Sequence, residues 1–140
     1  MNDKILEVKD LSVSFDNNSV LSDINFSVSK SETLAIIGPN GAGKTVLFRA
    51  LLGLVPHSGV IKWKEGVKIG YVPQKISIEK DFPLSVLEFL QFKGNDKEIE
   101  EAVVATGIND YRILDKKLGT LSGGQLQRIM ISLAIIVNRD

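Results

Sequence analysis

The chain has 140 residues, 44% of them hydrophobic and 24% charged, with 17 Lys plus Arg against 17 Asp plus Glu. That length makes one domain at most, and the composition excludes a disordered or fibrous chain. The cancelled charge removes the electrostatic case for nucleic acid, so no nucleic-acid partner is expected, and the absence of cysteine excludes a disulfide scaffold and thiolate metal sites. Met1-Asn2-Asp3-Lys4 lacks the basic start and apolar core of a signal peptide. No apolar run approaches the ~18–20 residues of a membrane span, and the most apolar one, Met130 to Val137, contains Ser132.

Leu6, Val8, Leu11, Val13 and Phe15 predict a strand pair with a slip near Asp10, and Asp16-Asn17-Asn18-Ser19 a turn. Ile24, Phe26 and Val28 alternate with polar residues, as in a half-buried strand. Residues 32–37 predict a fully buried strand leading into Gly38-Pro39-Asn40-Gly41-Ala42-Gly43-Lys44-Thr45. This octet fills G-x-x-x-x-G-K-[ST], the phosphate-binding P-loop. Successive N–H groups of a glycine-rich turn converge on an anion, and the start of the following helix adds further N–H groups and its dipole. Lys44 would reach the outer phosphates, and the Thr45 hydroxyl would sit on Mg²⁺.

The P-loop helix is expected over Val46 to Leu54, closed by Gly53 and Pro56. Short strands are expected at 60–63 and 67–72, joined near Glu65-Gly66, and a loop from Pro73 to Ile78. His57, the single histidine, reads as a solvated turn residue. Ser85-Val86-Leu87-Glu88 is a capping-box pattern, and Gly94-Asn95-Asp96 breaks the helix it starts. Ile99, Ala102, Val103 and Thr106 recur at helical spacing up to a C-cap at Gly107. Ser122-Gly123-Gly124 opens a last helix with Leu126, Ile129, Met130, Leu133 and Val137 as its stripe. Two glycines there admit backbone N–H groups to a phosphate, although Ser followed by Gly-Gly is also good capping chemistry.

Leu121-Ser122-Gly123-Gly124-Gln125 resembles the LSGGQ signature of the ATP-binding subunits of ABC transporters. With the P-loop before it, and with Gln74 of Gly70-Tyr71-Val72-Pro73-Gln74 where that family has its Q-loop, the resemblance runs from about Ile5 to Asp140. It implies an α/β fold: a P-loop NTPase core with N-terminal antiparallel strands over about residues 1–72. A helical insert subdomain carrying the Q-loop and signature then fills about 73–140.

The resemblance implies ATP and Mg²⁺ as cofactors. ATP contacts would come from Phe15, stacked on adenine, from Gly38, Pro39, Asn40, Gly41, Ala42, Gly43, Lys44, Thr45 and Val46, and from Ser122, Gly123, Gly124 and Gln125. Lys44 and Gln74 would serve catalysis, and Thr45 and Gln74 the Mg²⁺. Phe15 also continues the Leu11/Val13 alternation, so core packing is its other reading. Val46 stands where the family usually has Thr, which leaves only its backbone N–H for phosphate. Leu133 departs from a frequent Arg.

The signature would face the ATP of a second ATP-binding subunit in a two-fold homodimer, and Phe82-Pro83-Leu84 would border a groove for a transmembrane permease subunit. The implied place is the cytoplasmic face of the membrane, and the segments around Gln74 and Phe82 are most similar to zinc/manganese importers. The family's next strand, the Walker B strand, ends in Asp and Glu. The chain reads as truncated before it, ending at Asn138-Arg139-Asp140. The intact domain is expected to hydrolyse ATP, and the 140-residue chain alone is not. The competing readings are a non-hydrolytic nucleotide-binding module and a soluble ABC-type ATPase of translation or repair.

Overall fold

The computed structural model describes residues 3–138; Met1, Asn2, Arg139 and Asp140, with the readings that touch them, lie outside. The chain divides into two compact units, residues 1–67 and 68–140.

The first unit is a three-stranded antiparallel sheet in the order β2-β1-β3, followed on one face by a helix. Strand β1 is Lys4–Phe15, β2 Asn18–Ser29, and β3 Ser58–Trp63; helix α1 is Lys44–Leu51. Asp16 (φ 47°) and Asn17 (φ 66°) form the two-residue turn between β1 and β2. Positive φ at both central residues is what matches a tight turn to the strand twist.

The slip near Asp10 is a β-bulge. Leu6 and Val8 face the core; Asp10, at φ 50°, is an extra residue on β1; Leu11 and Val13 then face the core again. Without it, Leu11 and Val13 would turn to solvent, because side chains alternate with period two. Asp23 does the same for β2, again at φ 50°. Each bulge's N–H finds a cross-strand side chain: Asp10 N–H donates to Asn25 Oδ1 (2.9 Å), and Asp23 N–H to Ser12 Oγ (3.0 Å).

Helix α1 begins two residues earlier than its apolar run suggested and ends in a Schellman motif. Leu54 N–H reaches Arg49 O and Gly53 N–H reaches Ala50 O, with Gly53 at φ 69°. Trp63 Nε1 caps a further carbonyl, Leu51 O, at 3.0 Å.

Two expected strands are absent. Residues 32–37 and 67–72 have no regular structure; Ile37 is 93% exposed, and Leu34, Ile69 and Tyr71 are exposed too. A buried parallel strand needs a ladder partner and cover on both faces. Among the described residues the only sheet is β2-β1-β3, and neither segment joins it.

The second unit is helical: α2 Val86–Gln91, α3 Asp96–Ala105 and α4 Gly123–Val137, with short 3₁₀ turns at Tyr111–Asp115 and Leu118–Thr120. Each α-helix starts in a capping box, Ser85 with Glu88, Asn95 with Glu98, and Ser122 with Gln125. Glu88 stands in the first turn of α2, and Asp96 and Glu98 in that of α3, whereas α1 and α4 have no acid there. Helix α3 ends at Ala105 with Thr106 as its C-cap, and Gly107, expected as the cap, stands one residue beyond it at φ 75° with its N–H on Val104 O (2.9 Å).

Helices α2, α3 and α4 enclose a core that includes Val86, Leu90, Ile99, Val103, Leu118 and Ile129. The buried face of α4 differs from the expected stripe. Leu126, Ile129, Ser132 and Ile136 are buried, Met130 and Leu133 are half-buried, and Val137 is exposed. Ser132 is tolerated inside because its hydroxyl donates back to Arg128 O (3.0 Å) and lies 3.1 Å from Thr106 Oγ1.

Candidate functional site

In the first unit, residues 38–43 form a loop that runs directly into α1 at Lys44. Gly41 and Gly43 have φ of 83° and 85°, a region that L side chains rarely adopt. Gly43 is constrained twice, because a Cβ there would lie 2.9 Å from Leu21 Cδ2 and 3.2 Å from Val20 O. Residue 43 thus presses the loop onto β2. At Gly41 a Cβ would meet nothing within 4 Å, so the constraint there is conformational alone. As N-cap of α1, Gly43 offers no side-chain acceptor to the first turn. The first N–H groups of a helix have no partner within the helix, which suits an anion at this end.

Lys44 Nζ donates to Gly38 O and Pro39 O, both at 2.6 Å. The side chain therefore arches over the loop and holds its two ends together. An ammonium has three donors, so one remains beyond these two bonds. Thr45 is exposed beside it. A hydroxyl at the edge of a phosphate cradle fits Mg²⁺, which usually takes one or two protein ligands and completes its shell with phosphate oxygens and water. Val46 points into the core packing of the first unit, which leaves its backbone as the only part able to meet phosphate. Phe15, at the end of β1, is 42% exposed, so its ring is not consumed by the core. His57 is exposed in the irregular stretch just before β3, 3.3 Å from Val55 O.

The second unit holds Gln74 and the signature segment. Gln74 is exposed in the irregular stretch before α2. Phe82 is 37% exposed, while Leu84 packs on the helical core. Ser122 is the N-cap of α4. Its Oγ accepts from Gln125 N–H (3.3 Å), and Gln125 Oε1 accepts from Ser122 N–H (3.0 Å). Gln125 thus spends its carbonyl on the helix start. Gly123 and Gly124 have neither a positive φ nor any neighbour within 4 Å of a Cβ. Nothing within the described chain requires glycine at either position, and both open outward at a helix N-terminus.

An open cleft of about 400 Å³ adjoins this end of α4 and is lined by Ser122, Gln125, Asp110, Lys116 and Arg128 among others. Arg128 Nη1 donates to Gly107 O at 3.2 Å across it. Arg112 grips Asp110 through Nε (2.9 Å) and Nη2 (2.8 Å), and its backbone N–H adds a third bond (3.1 Å). The Arg112 side chain, its backbone N–H next, holds the Asp110 carboxyl down to about 2. Sequence reading missed this pair and Arg128; Asp110-Tyr111-Arg112 carries the i, i+2 spacing of an Asx-type turn, which was the available signal.

Comparison with known proteins gives one answer throughout. The family model described as "ABC transporter" matches residues 21–140. A zinc import ATP-binding protein ZnuC of Roseobacter denitrificans is 39% identical over 139 residues, covering 97% of this chain and 54% of that protein. A ZnuC 2 of Aliivibrio fischeri is 38% identical over 135 residues, 94% of this chain and 55% of the other. The chain thus spans about half the length of the curated relatives it matches. Among solved structures, an ABC transporter ATP-binding protein of Pyrococcus furiosus superposes with a TM-score of 0.80 at 31% identity, over 95% of this chain and 70% of that one. The ATP-binding subunit of an ABC transporter superposes with a TM-score of 0.76 at 27% identity, over 95% and 62%. With the lysine-bridged glycine loop and the LSGGQ helix start both inside the matched stretch, this chain belongs to the ABC transporter family of ATP-binding proteins.

Proposed function

We propose that the chain provides the nucleotide-binding loop and signature of an ATP-binding subunit that powers metal-ion import. The observation that carries the reading is the loop at 38–43, with two glycines at positive φ and Lys44 bridging Gly38 O and Pro39 O at the start of an acid-free helix. Loop and helix N–H groups would bind the phosphates, and Lys44 would add charge with its remaining donor. Thr45 would hold Mg²⁺, which neutralises charge developing on the phosphates when bound. Phe15 would stack on adenine, an interaction worth ~1–3 kcal/mol per base. Gln74 would orient water and the metal shell.

The open helix start at Ser122, Gly123 and Gly124 would meet a phosphate held by the loop of a second subunit. That pairing makes a head-to-tail, two-fold homodimer closed by ATP. Zinc is the cargo named for the curated relatives, and it supports a metal-ion importer working with a transmembrane permease. Hydrolysis is proposed for the whole subunit at the length of those relatives.

The test is calorimetric titration with Mg-ATP. Lys44→Ala is expected to weaken binding at least tenfold, since about 1.4 kcal/mol is lost with one charge-assisted hydrogen bond to phosphate. Equal affinity in the variant and the parent protein would sink the assignment of this loop.

A further inference from the structure

Gly119 differs in kind from the two signature glycines. Its φ is not in the left-handed region, so the backbone does not ask for glycine there. Space does. A Cβ on residue 119 would land on Glu79 O and within 2.8 Å of Lys80 C and Cα. These are backbone atoms of the stretch that follows Gln74, and they cannot rotate out of the way.

The contact belongs to a short run of backbone bonds. Ser85 and Lys117 form an antiparallel bridge. Val86 N–H donates to Lys116 O at 2.9 Å, and Leu118 N–H to Leu84 O at 3.0 Å. Leu118, 1% exposed, pins the same turn into the helical core. Thr120 N–H then reaches Lys117 O (3.0 Å) and Leu121 N–H reaches Leu118 O (3.2 Å). The next residue is Ser122, the N-cap of α4. Backbone contact is therefore continuous from Glu79-Lys80, through the Leu118–Thr120 turn, to the first residue of the signature helix.

We propose that Gly119 is a positioning residue: it lets the Leu118–Thr120 turn lie flat on the backbone at residues 79–80 and so fixes where Gly123 and Gly124 present their N–H groups beside Ser122. This rests on the reading of those three residues as a phosphate-facing group. The contact makes the start of α4 follow the 79–84 stretch as one body. A displacement of that stretch is then delivered to the signature, because backbone pressed on backbone has no side-chain slack to absorb it.

The test is amide hydrogen exchange of the chain carrying Gly119→Ala, with Gly123→Ala as the comparison. The added methyl at 119 is expected to speed exchange of the Leu118, Gln125 and Leu126 amides about tenfold or more by local opening. Amides from Ile129 to Val137 should keep their protection, and Mg-ATP affinity by calorimetry should stay unchanged. Gly123→Ala should leave all of these amides as they are, since its Cβ has open space. Unchanged exchange at Leu118, Gln125 and Leu126 would overturn the proposal. So would a uniform loss of protection through α3 and α4, which would make Gly119 a requirement of the fold. Exchange is read without nucleotide, so a failure of the proposed function and a failure of this contact give different results.

Discussion

Gly43 and Asp110 show how single residues set the two candidate regions. Gly43 must be glycine for its φ of 85° and for its approach to Val20 and Leu21. The motif marked Gly43 only as part of a glycine-rich turn; its φ and its approach to β2 come from the structure. Asp110 works through charge. Its carboxyl lies at about 2 rather than near 3.8, chiefly because the Arg112 side chain donates to it. A depressed folded value means that the pairing stabilises the fold above the unfolded value, near 3.9, and is lost as pH falls through about 2. A carbon-detected titration of Asp110 should have its midpoint near 2 and move up in Arg112→Met, while staying below the ordinary carboxylate range because the backbone N–H of residue 112 still donates to it. Both side chains are exposed, so the effect of the pair on melting should be small.

At the level of elements, the legible features were those coded by neighbouring residues. The Ser85 box, the Gly107 stop just past α3, the Asp16-Asn17 turn and the slip at Asp10 all depend on residues within a few positions of one another. The two expected strands at 32–37 and 67–72 depend on partners elsewhere, and apolar content alone does not supply them. Likewise the Ser132 hydroxyl is buried because Thr106 lies against it, and helical periodicity along α4 does not reveal that. The bulges allow a direct test. Asp10→Val puts a β-branched side chain at φ 50°, where left-handed backbone costs roughly 1–2 kcal/mol per residue. Urea unfolding should show a loss of about that size for the sheet unit, and Asp10→Gly should show none.

For the whole molecule, length and composition read as one domain at most, whereas the described residues hold two cores. One lies between the sheet and α1 and includes Leu11, Val13 and Leu47; the other lies among α2, α3 and α4. The family resemblance did mark a change of character near the Q-loop, and the signature and P-loop residues fall in different units. Two separate cores should melt as two cooperative units. Differential scanning calorimetry of the chain is expected to resolve two heat-absorption steps, and Leu118→Ala should lower only the one assigned to the helical unit. Leu→Ala at a fully buried site removes about 2–5 kcal/mol, and Leu118 is 1% exposed. A single transition that shifts as a whole would contradict this.

The acid pattern at the helix starts has a consequence for rates. Helices α2 and α3 neutralise their positive ends with Glu88, Asp96 and Glu98, whereas α1 and α4 carry no carboxylate there. The two helix starts proposed to meet phosphate therefore keep an attractive field for polyanions, on a chain whose net charge is zero. Such a field reaches only about one Debye length, ~10 Å at 0.1 M salt and ~30 Å at 0.01 M. Nucleotide capture should accordingly be ionic-strength-controlled in its association step and nearly salt-blind in its release. Stopped-flow measurements with a fluorescent ATP analogue should show the association rate constant falling as salt rises, and Thr45→Glu, which adds a carboxylate to the first turn of α1, should flatten that dependence.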